Sequence, residues 1–341
     1  MFRGNAQLTG VAPGSLGDDL KVRWKFEAGE AVTSTAAIVG DTVYVGSDDG
    51  ALFALDLADG TVRWKFKTEE AIRSSPAVVN DLVLFGDAEG VMHAVSASTG
   101  DPLWTFRTEG EIVSSPTPVG DRMVFGSYDG SLYALSIADG RLLWKFETQG
   151  RIHGTAGVAD GRVLVAGCDE HLYSVSLADG SGEPCVSMGS VTGTAAAMDD
   201  SMVFVGTYGG SVLGVDWRNR RTVWRFDDPQ RDYPCMSSAA IGKNAIIVGG
   251  RDKRLRAIDK ANGRVKWEFA AKGRIDSSPV IVGDRVFVGA SDGLLYAIRV
   301  DTGEAIWRFE AGSPISASPA IARGCLVIGT EDGLVYCFAS P

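Results

Sequence analysis

Side chains able to do nucleophilic, acid–base or metal chemistry are scarce in this chain. Its 341 residues hold three histidines, His93, His153 and His171, and five cysteines, Cys168, Cys185, Cys235, Cys325 and Cys337. No two cysteines form a Cys-x-x-Cys pair, so their spacing spells neither a structural zinc site nor a disulfide scaffold, and the odd count leaves at least one free thiol. No Gly-x-Ser-x-Gly elbow, His-Glu-x-x-His pair or phosphate-binding glycine loop accompanies the histidines. Carboxylates are more orderly: an acidic residue recurs beside one turn as Asp49, Glu89, Asp129, Asp169, Asp252, Asp292 and Asp332, with Gly209 as the exception. Such a ring could attract cations. The turn explains it better, because Asp-Gly is a favoured hairpin dipeptide and the same turn is made repeatedly.

That recurrence reflects an internal repeat, and tryptophan gives its period. Trp24, Trp64, Trp104 and Trp144 are each 40 residues apart, Trp224 follows after 80, and Trp267 and Trp307 continue at 43 and 40, leaving one empty slot near Pro184. Eight units result. Each runs from a small-residue segment (Ser74-Ser75-Pro76, Ser114-Ser115-Pro116, Ser277-Ser278-Pro279) through a β-branched run, an acidic glycine turn, a run such as Leu132-Tyr133-Ala134-Leu135, and Ala-Asp-Gly, to the Trp segment. Period-2 runs separated by turn chemistry predict four strands, A to D, which in the second unit are residues 74–79, 82–86, 91–96 and 102–107. Four antiparallel strands repeated eight times predict an all-β, eight-bladed propeller of four-stranded antiparallel blades.

The count also predicts how the ring closes. The last unit ends after its C strand, Leu334 to Ala339, whereas the first Trp strand, Lys21 to Phe26, precedes any A strand. The N-terminal strand therefore completes the eighth blade, which removes exposed sheet edges. Residues 1–20 form a lead-in and 21–341 a single propeller domain. Trp24, Trp64, Trp104, Trp144, Trp224, Trp267 and Trp307 are read as packing residues between blades. His93 aligns with Phe53, Tyr133 and Tyr296, and His171 with Ala51, Ser131 and Leu294, which makes both ordinary strand positions.

Acidic residues exceed basic ones by 43 to 33, a net charge of −10, which disfavours nucleic acid as a partner. No apolar run approaches the eighteen or so residues of a membrane-spanning helix, and residues 1–20 lack the pattern of a signal peptide. The expectation is a soluble monomer from which any export signal has been removed.

With the strands assigned, Ala54-Leu55-Asp56-x-Ala58-Asp59-Gly60-x-x-x-Trp64, repeated at Ala257 to Trp267 and Ala297 to Trp307, resembles the pyrroloquinoline quinone (PQQ) repeat with its tryptophan-docking motif. The opening Phe2-Arg3-Gly4-Asn5-Ala6-Gln7-x-Thr9-Gly10 resembles the lead-in of bacterial members. The resemblance covers the whole chain. It implies the propeller fold, and a function among quinoprotein dehydrogenases, the propeller lipoprotein of outer-membrane protein assembly, sensors and scaffolds. The dehydrogenase branch carries long insertions, adjacent cysteines and an acidic base beside calcium, none of which this sequence matches. The expectation is therefore the non-catalytic branch with no cofactor, PQQ with calcium belonging to the dehydrogenase alternative. The resemblance favours an exported, periplasmic protein, while the cysteines leave a cytoplasmic home open.

A regular ring offers no distinctive site, so binding residues are sought where units deviate. Alternating strand direction puts the D–A and B–C connections on one face, face one, and the A–B and C–D turns on face two. On face one an insertion, Asp227-Asp228-Pro229-Gln230-Arg231-Asp232-Tyr233-Pro234, leads into the sixth blade, whose own B–C turn reads Arg251-Asp252-Lys253, followed by Arg254 and Arg256. The residues entering the A strands at the channel mouth vary: Thr33, Arg73, Val113, His153, Thr192, Met236, Asp276 and Ser316. Candidate binding residues are thus Arg73, His153, Asp276, Asp227, Asp228, Arg231, Tyr233, Arg251, Lys253, Arg254 and Arg256, contacting a protein or a small ligand, with a sensor domain for a small anionic ligand as an alternative reading. On face two, Trp217 stands out of register beside Arg218-Asn219-Arg220-Arg221, either filling the missing indole's place or making an exposed contact. Cys325 and Cys337 align with Thr42 and Ala54 on neighbouring strands, and buried free thiols are expected there rather than a bridge.

Overall fold

A computed structural model of the chain describes residues 2–228 and 233–341. These form eight four-stranded antiparallel sheets, seven of them meanders in chain order. In the second blade the strands are Ala77–Val79, Leu82–Gly86, Val91–Ser96 and Pro102–Arg107. Strands B, C and D match their expected bounds; A is shorter. Its first residues leave the ladder because the Ser75 N–H donates 3.0 Å to the hydroxyl of Ser115, one blade on. Closure is as expected: Lys21–Glu27 pairs antiparallel with Leu334–Ala339 and completes the eighth sheet.

Each regular junction between blades is built the same way. The Trp24 Nε1–H donates 2.9 Å to the Leu57 carbonyl of the next blade, and Trp64, Trp104, Trp144, Trp224 and Trp267 do likewise to Ala97, Ile137, Leu177, Lys260 and Val300. The indole lies against the glycine of the Ala-Asp-Gly turn, where a Cβ on Gly60 would sit 2.7 Å from the Trp24 ring. Glycine at that turn is thus required both by its φ of 76° and by the ring above it.

The junction after the fourth blade uses different parts. Cys185 stands in the Trp slot, its Sγ 3.8 Å from the Trp217 carbonyl, the acceptor that corresponds to Leu57. Trp217 is 5% exposed and shares a core cluster with Cys185, Met188, Met198 and Leu213, so its indole fills the space inward from the neighbouring blade. The turn glycine is replaced by Arg220, which keeps a positive φ of 53° and pairs with Glu183 at 2.6 Å.

The lead-in crosses face two. The N–H groups of Val158, Met198, Ile241 and Ile281, one on each of the A strands of blades four to seven, donate to the carbonyls of Ala6, Gln7, Thr9 and Gly10 at 2.7, 2.9, 2.8 and 2.9 Å. Arg3 is buried and donates to the carbonyls of Leu8, Ala239 and Pro279. No helix among the described residues is long and apolar enough to cross a membrane.

Candidate functional site

At face one the A strands open into a cavity of about 350 Å³ on the propeller axis, and Phe2 from the lead-in is part of its lining. A belt of hydroxyls surrounds it: Thr35, Ser75, Ser115, Thr155, Ser238, Ser278 and Ser318, with Ala195 in the remaining slot. Six of these oxygens accept a backbone N–H from the preceding blade: Ser75 from Thr35, Ser115 from Ser75, Thr155 from Ser115, Ser238 from Ala195, Ser278 from Ser238 and Ser318 from Ser278, at 2.9 to 3.1 Å. With the oxygen engaged as an acceptor, the O–H remains to donate.

Above the belt stand the variable mouth residues. Arg73, His153, Met236, Asp276 and Arg251 share the cavity wall. In the fifth blade the mouth residue is Gly193; Thr192, assigned there from sequence, is fully buried and bonds the Gly206 carbonyl. Threonines at 192 and 194 flank that glycine, so the sequence offers two similar registers, and the structure takes the one that places Gly193 at the mouth. Arg73 lies 3.5 Å from Asp48. Arg251 bonds Asp276 at 2.9 Å, which raises its pKa, and Arg274 reaches the same carboxylate at 3.1 Å. His153 Nδ1 meets the Tyr128 hydroxyl. Burial lowers the histidine's pKa and pushes the phenol up to about 12, so both groups are neutral at pH 7 and share one hydrogen bond at Nδ1.

The other face-one candidates lie outside this cup. Arg256, expected among the displayed basic side chains, is 6% exposed. It occupies the C-strand slot held elsewhere by Phe53, His93, Tyr133, Tyr173, Tyr296 and Tyr336. Tyr133, Tyr173 and Tyr296 donate their hydroxyls to Asp129, Asp169 and Asp292 at 2.6 to 2.7 Å. Arg256 makes the same reach to Asp252 and adds Asp228 at 2.9 Å and Glu268 at 2.7 Å. Burial opposes its charge, but the bonds to Asp252 and Glu268 outweigh that and raise its pKa. Tyr233 is exposed and borders a small void of about 20 Å³ with Asp228, Cys235 and Arg256. Asp227 is held by Ser211 and Arg225, Arg254 pairs with Glu268 at 3.1 Å, and Lys253 is exposed in the turn-glycine slot with φ of 69°. Arg231 lies outside the described residues.

The acidic turn residues also accept backbone N–H groups, as Asp49 does from Ala51 and Asp129 from Ser131, both at 2.9 Å. Their placement is accounted for by turn and tyrosine. All five cysteines are free thiols; Cys337 bonds the Cys325 sulfur, lowering the pKa of Cys325 and raising its own, with the Arg23 guanidinium 3.8 Å from Cys325. A calcium-bound quinone would need a carboxylate cluster and a free base. Among the described residues no group of three or more His, Cys, Asp or Glu could hold a metal, and Asp276 is engaged by two arginines.

Comparison with known proteins separates fold from function. The computationally designed Ika8 protein superposes with a TM-score of 0.80 at 18% identity, covering 94% of this chain and 99% of that one. A europium-containing methanol dehydrogenase gives 0.80 at 14% identity, covering 100% and 97%. BamB from Moraxella catarrhalis gives 0.79 at 18% identity, covering 95% and 98%. A dehydrogenase, a designed protein and BamB thus share the architecture, and at these identities the likeness concerns the fold alone. No curated protein matches the sequence. The family model described as outer membrane protein assembly factor BamB matches residues 17–115, 68–181 and 150–340, and the chain belongs to that family of PQQ-like β-propellers.

Proposed function

We propose that this protein is a non-catalytic recognition module that holds an anionic group, presented by a small ligand or by a protein partner, in the face-one cup. One observation carries the reading: donors converge there. The belt hydroxyls retain their O–H, His153 is part of the wall, and Arg73 and Arg251 stand at the rim of a cavity of about 350 Å³. The family description supports an exported home and protein partners.

Calorimetric titration with citrate, succinate and phosphate, against neutral glycerol, tests the cup. Millimolar or tighter binding of at least one anion is expected, weakened tenfold or more by Arg73→Ala with Arg251→Ala and unchanged by Arg218→Ala with Arg221→Ala on face two. Anion binding that ignores the first pair, or none at all, would overturn the reading. The methanol dehydrogenase among the structural neighbours motivates one competing reading. Stoichiometric uptake of PQQ with calcium, followed by dye reduction with an alcohol, would establish it.

A further inference from the structure

A second cavity, of about 170 Å³, lies at the opposite end of the axis between the lead-in and the A strands of blades seven, eight and one. Its wall is mostly apolar, with Val11, Ile38, Val280, Pro319 and Ile321 contributing. Arg3 is also part of that wall, although 5% exposed. Its guanidinium hydrogen-bonds only to carbonyls, those of Leu8, Ala239 and Pro279, lies 5.9 Å from the centre of the Phe2 ring, and leaves Nη1 with no hydrogen-bond partner. Among the described residues no carboxylate pairs with it.

A buried cation without a counterion is costly, and an unfilled donor adds to the cost. Burial alone lowers the Arg3 pKa to about 9, which still leaves it charged at neutral pH. The backbone adds further donors. Where the lead-in passes, it caps the A-strand N–H groups of Val158, Met198, Ile241 and Ile281. The equivalent residues Ile38 and Ile321 face this cavity beyond the reach of the lead-in's cap, while Pro118, two blades past Ile38, has no N–H to offer.

We propose that this face-two cavity binds a carboxylate carrying a short apolar body: the carboxylate neutralises the Arg3 guanidinium, and the body packs against Val11, Ile38, Val280 and Ile321. Arginine forks suit a carboxylate's planar geometry, and an apolar cavity of roughly 150 Å³ is known to admit a benzene-sized group. A free aliphatic acid and the C-terminal residue of a peptide share this chemistry. The site is separate from the face-one cup and stands or falls independently of it.

Calorimetric titration of the intact protein with hexanoate, hexanol, and an Ala-Ala-Val peptide with free or amidated C terminus tests it. At least one carboxylate form is expected to bind ten times or more tightly than its neutral counterpart. Hexanoate alone would assign the site to a free acid, and the free peptide alone to a polypeptide terminus; either supports the proposal. Arg3→Gln should abolish the preference. Since that change also unclamps the lead-in, Ala36→Phe, which fills the cavity and leaves Arg3 in place, should abolish binding with little change in Tm. Equal affinity for acid and neutral forms, binding that survives Ala36→Phe, or no binding by either carboxylate would overturn it.

Discussion

Six junctions between blades and the one after blade four solve the same packing problem with different residues. At the six, an indole reaches forward, donates to a carbonyl, and rests on a glycine. After blade four the indole reaches backward from Trp217, a cysteine thiol takes over the donor's place, and the glycine has become Arg220. The three changes belong together. Without a ring above the turn a side chain is admissible there, and without a forward indole the gap needs filling from the other side. What the fold demands at a junction is filled volume and a satisfied carbonyl, and tryptophan is one way to supply both.

The largest expected effect concerns the junction made by closure. Deleting residues 1–26 removes nearly all of the strand that pairs with Leu334–Ala339 and should leave a chain that aggregates or fails to give a cooperative melt. A monomeric deletion variant with unchanged Tm would show that the ring holds without it.

The comparison itself breaks or stands on a substitution set read by urea unfolding. Trp144→Ala and Trp217→Ala should each cost about 3–5 kcal/mol, since both indoles are buried. Cys185→Trp alone should cost about 1–3 kcal/mol by overpacking against Trp217. Combined with Trp217→Leu and Arg220→Gly, it should recover most of that loss. If the triple variant is no more stable than the single one, the exchange is not coupled.

A smaller difference sharpens the same idea in blade six, where a charge sits in an aromatic slot. Arg256→Ala strands the buried Asp252 carboxylate and should cost about 3–5 kcal/mol. Arg256→Tyr, which restores the hydroxyl-to-aspartate contact of blades three, four and seven, should cost about 1–2 kcal/mol less. Equal losses would mean that the slot requires the guanidinium's links to Asp228 and Glu268.

Much of this architecture is legible in the sequence because repeats make eight copies of one statement. The tryptophan period reveals blade number, and the missing D strand at one end reveals closure. His93 reads correctly as a strand residue, 9% exposed and stacked on Phe85. The same alignment places Arg256 in the aromatic slot, yet its charge suggests display, because burial depends on carboxylates arriving from a turn, an insertion and a neighbouring strand. The role of Trp217 is hidden because its cavity belongs to the preceding blade. Nothing in residues 2–12 announces that they cap the channel: their partners lie some 150 to 270 positions away, and no local pattern encodes such contacts. Face-one candidates divide likewise. Arg73, His153, Arg251 and Asp276 meet in the cup, whereas Lys253 and Arg254 do not.

Pairing Lys21–Glu27 with Leu334–Ala339 also sets a timetable. About 300 residues separate the two strands, so at 5–20 residues per second the first waits roughly 15–60 s on the ribosome for the second to be made. Earlier blades can assemble one after another meanwhile, each against its predecessor. The waiting strand remains a hydrophobic edge throughout, and its alternating Lys21, Arg23 and Lys25 are the kind of charges that discourage pairing with the wrong chain. The basic side chains on that strand therefore protect the nascent polypeptide before they serve the finished ring.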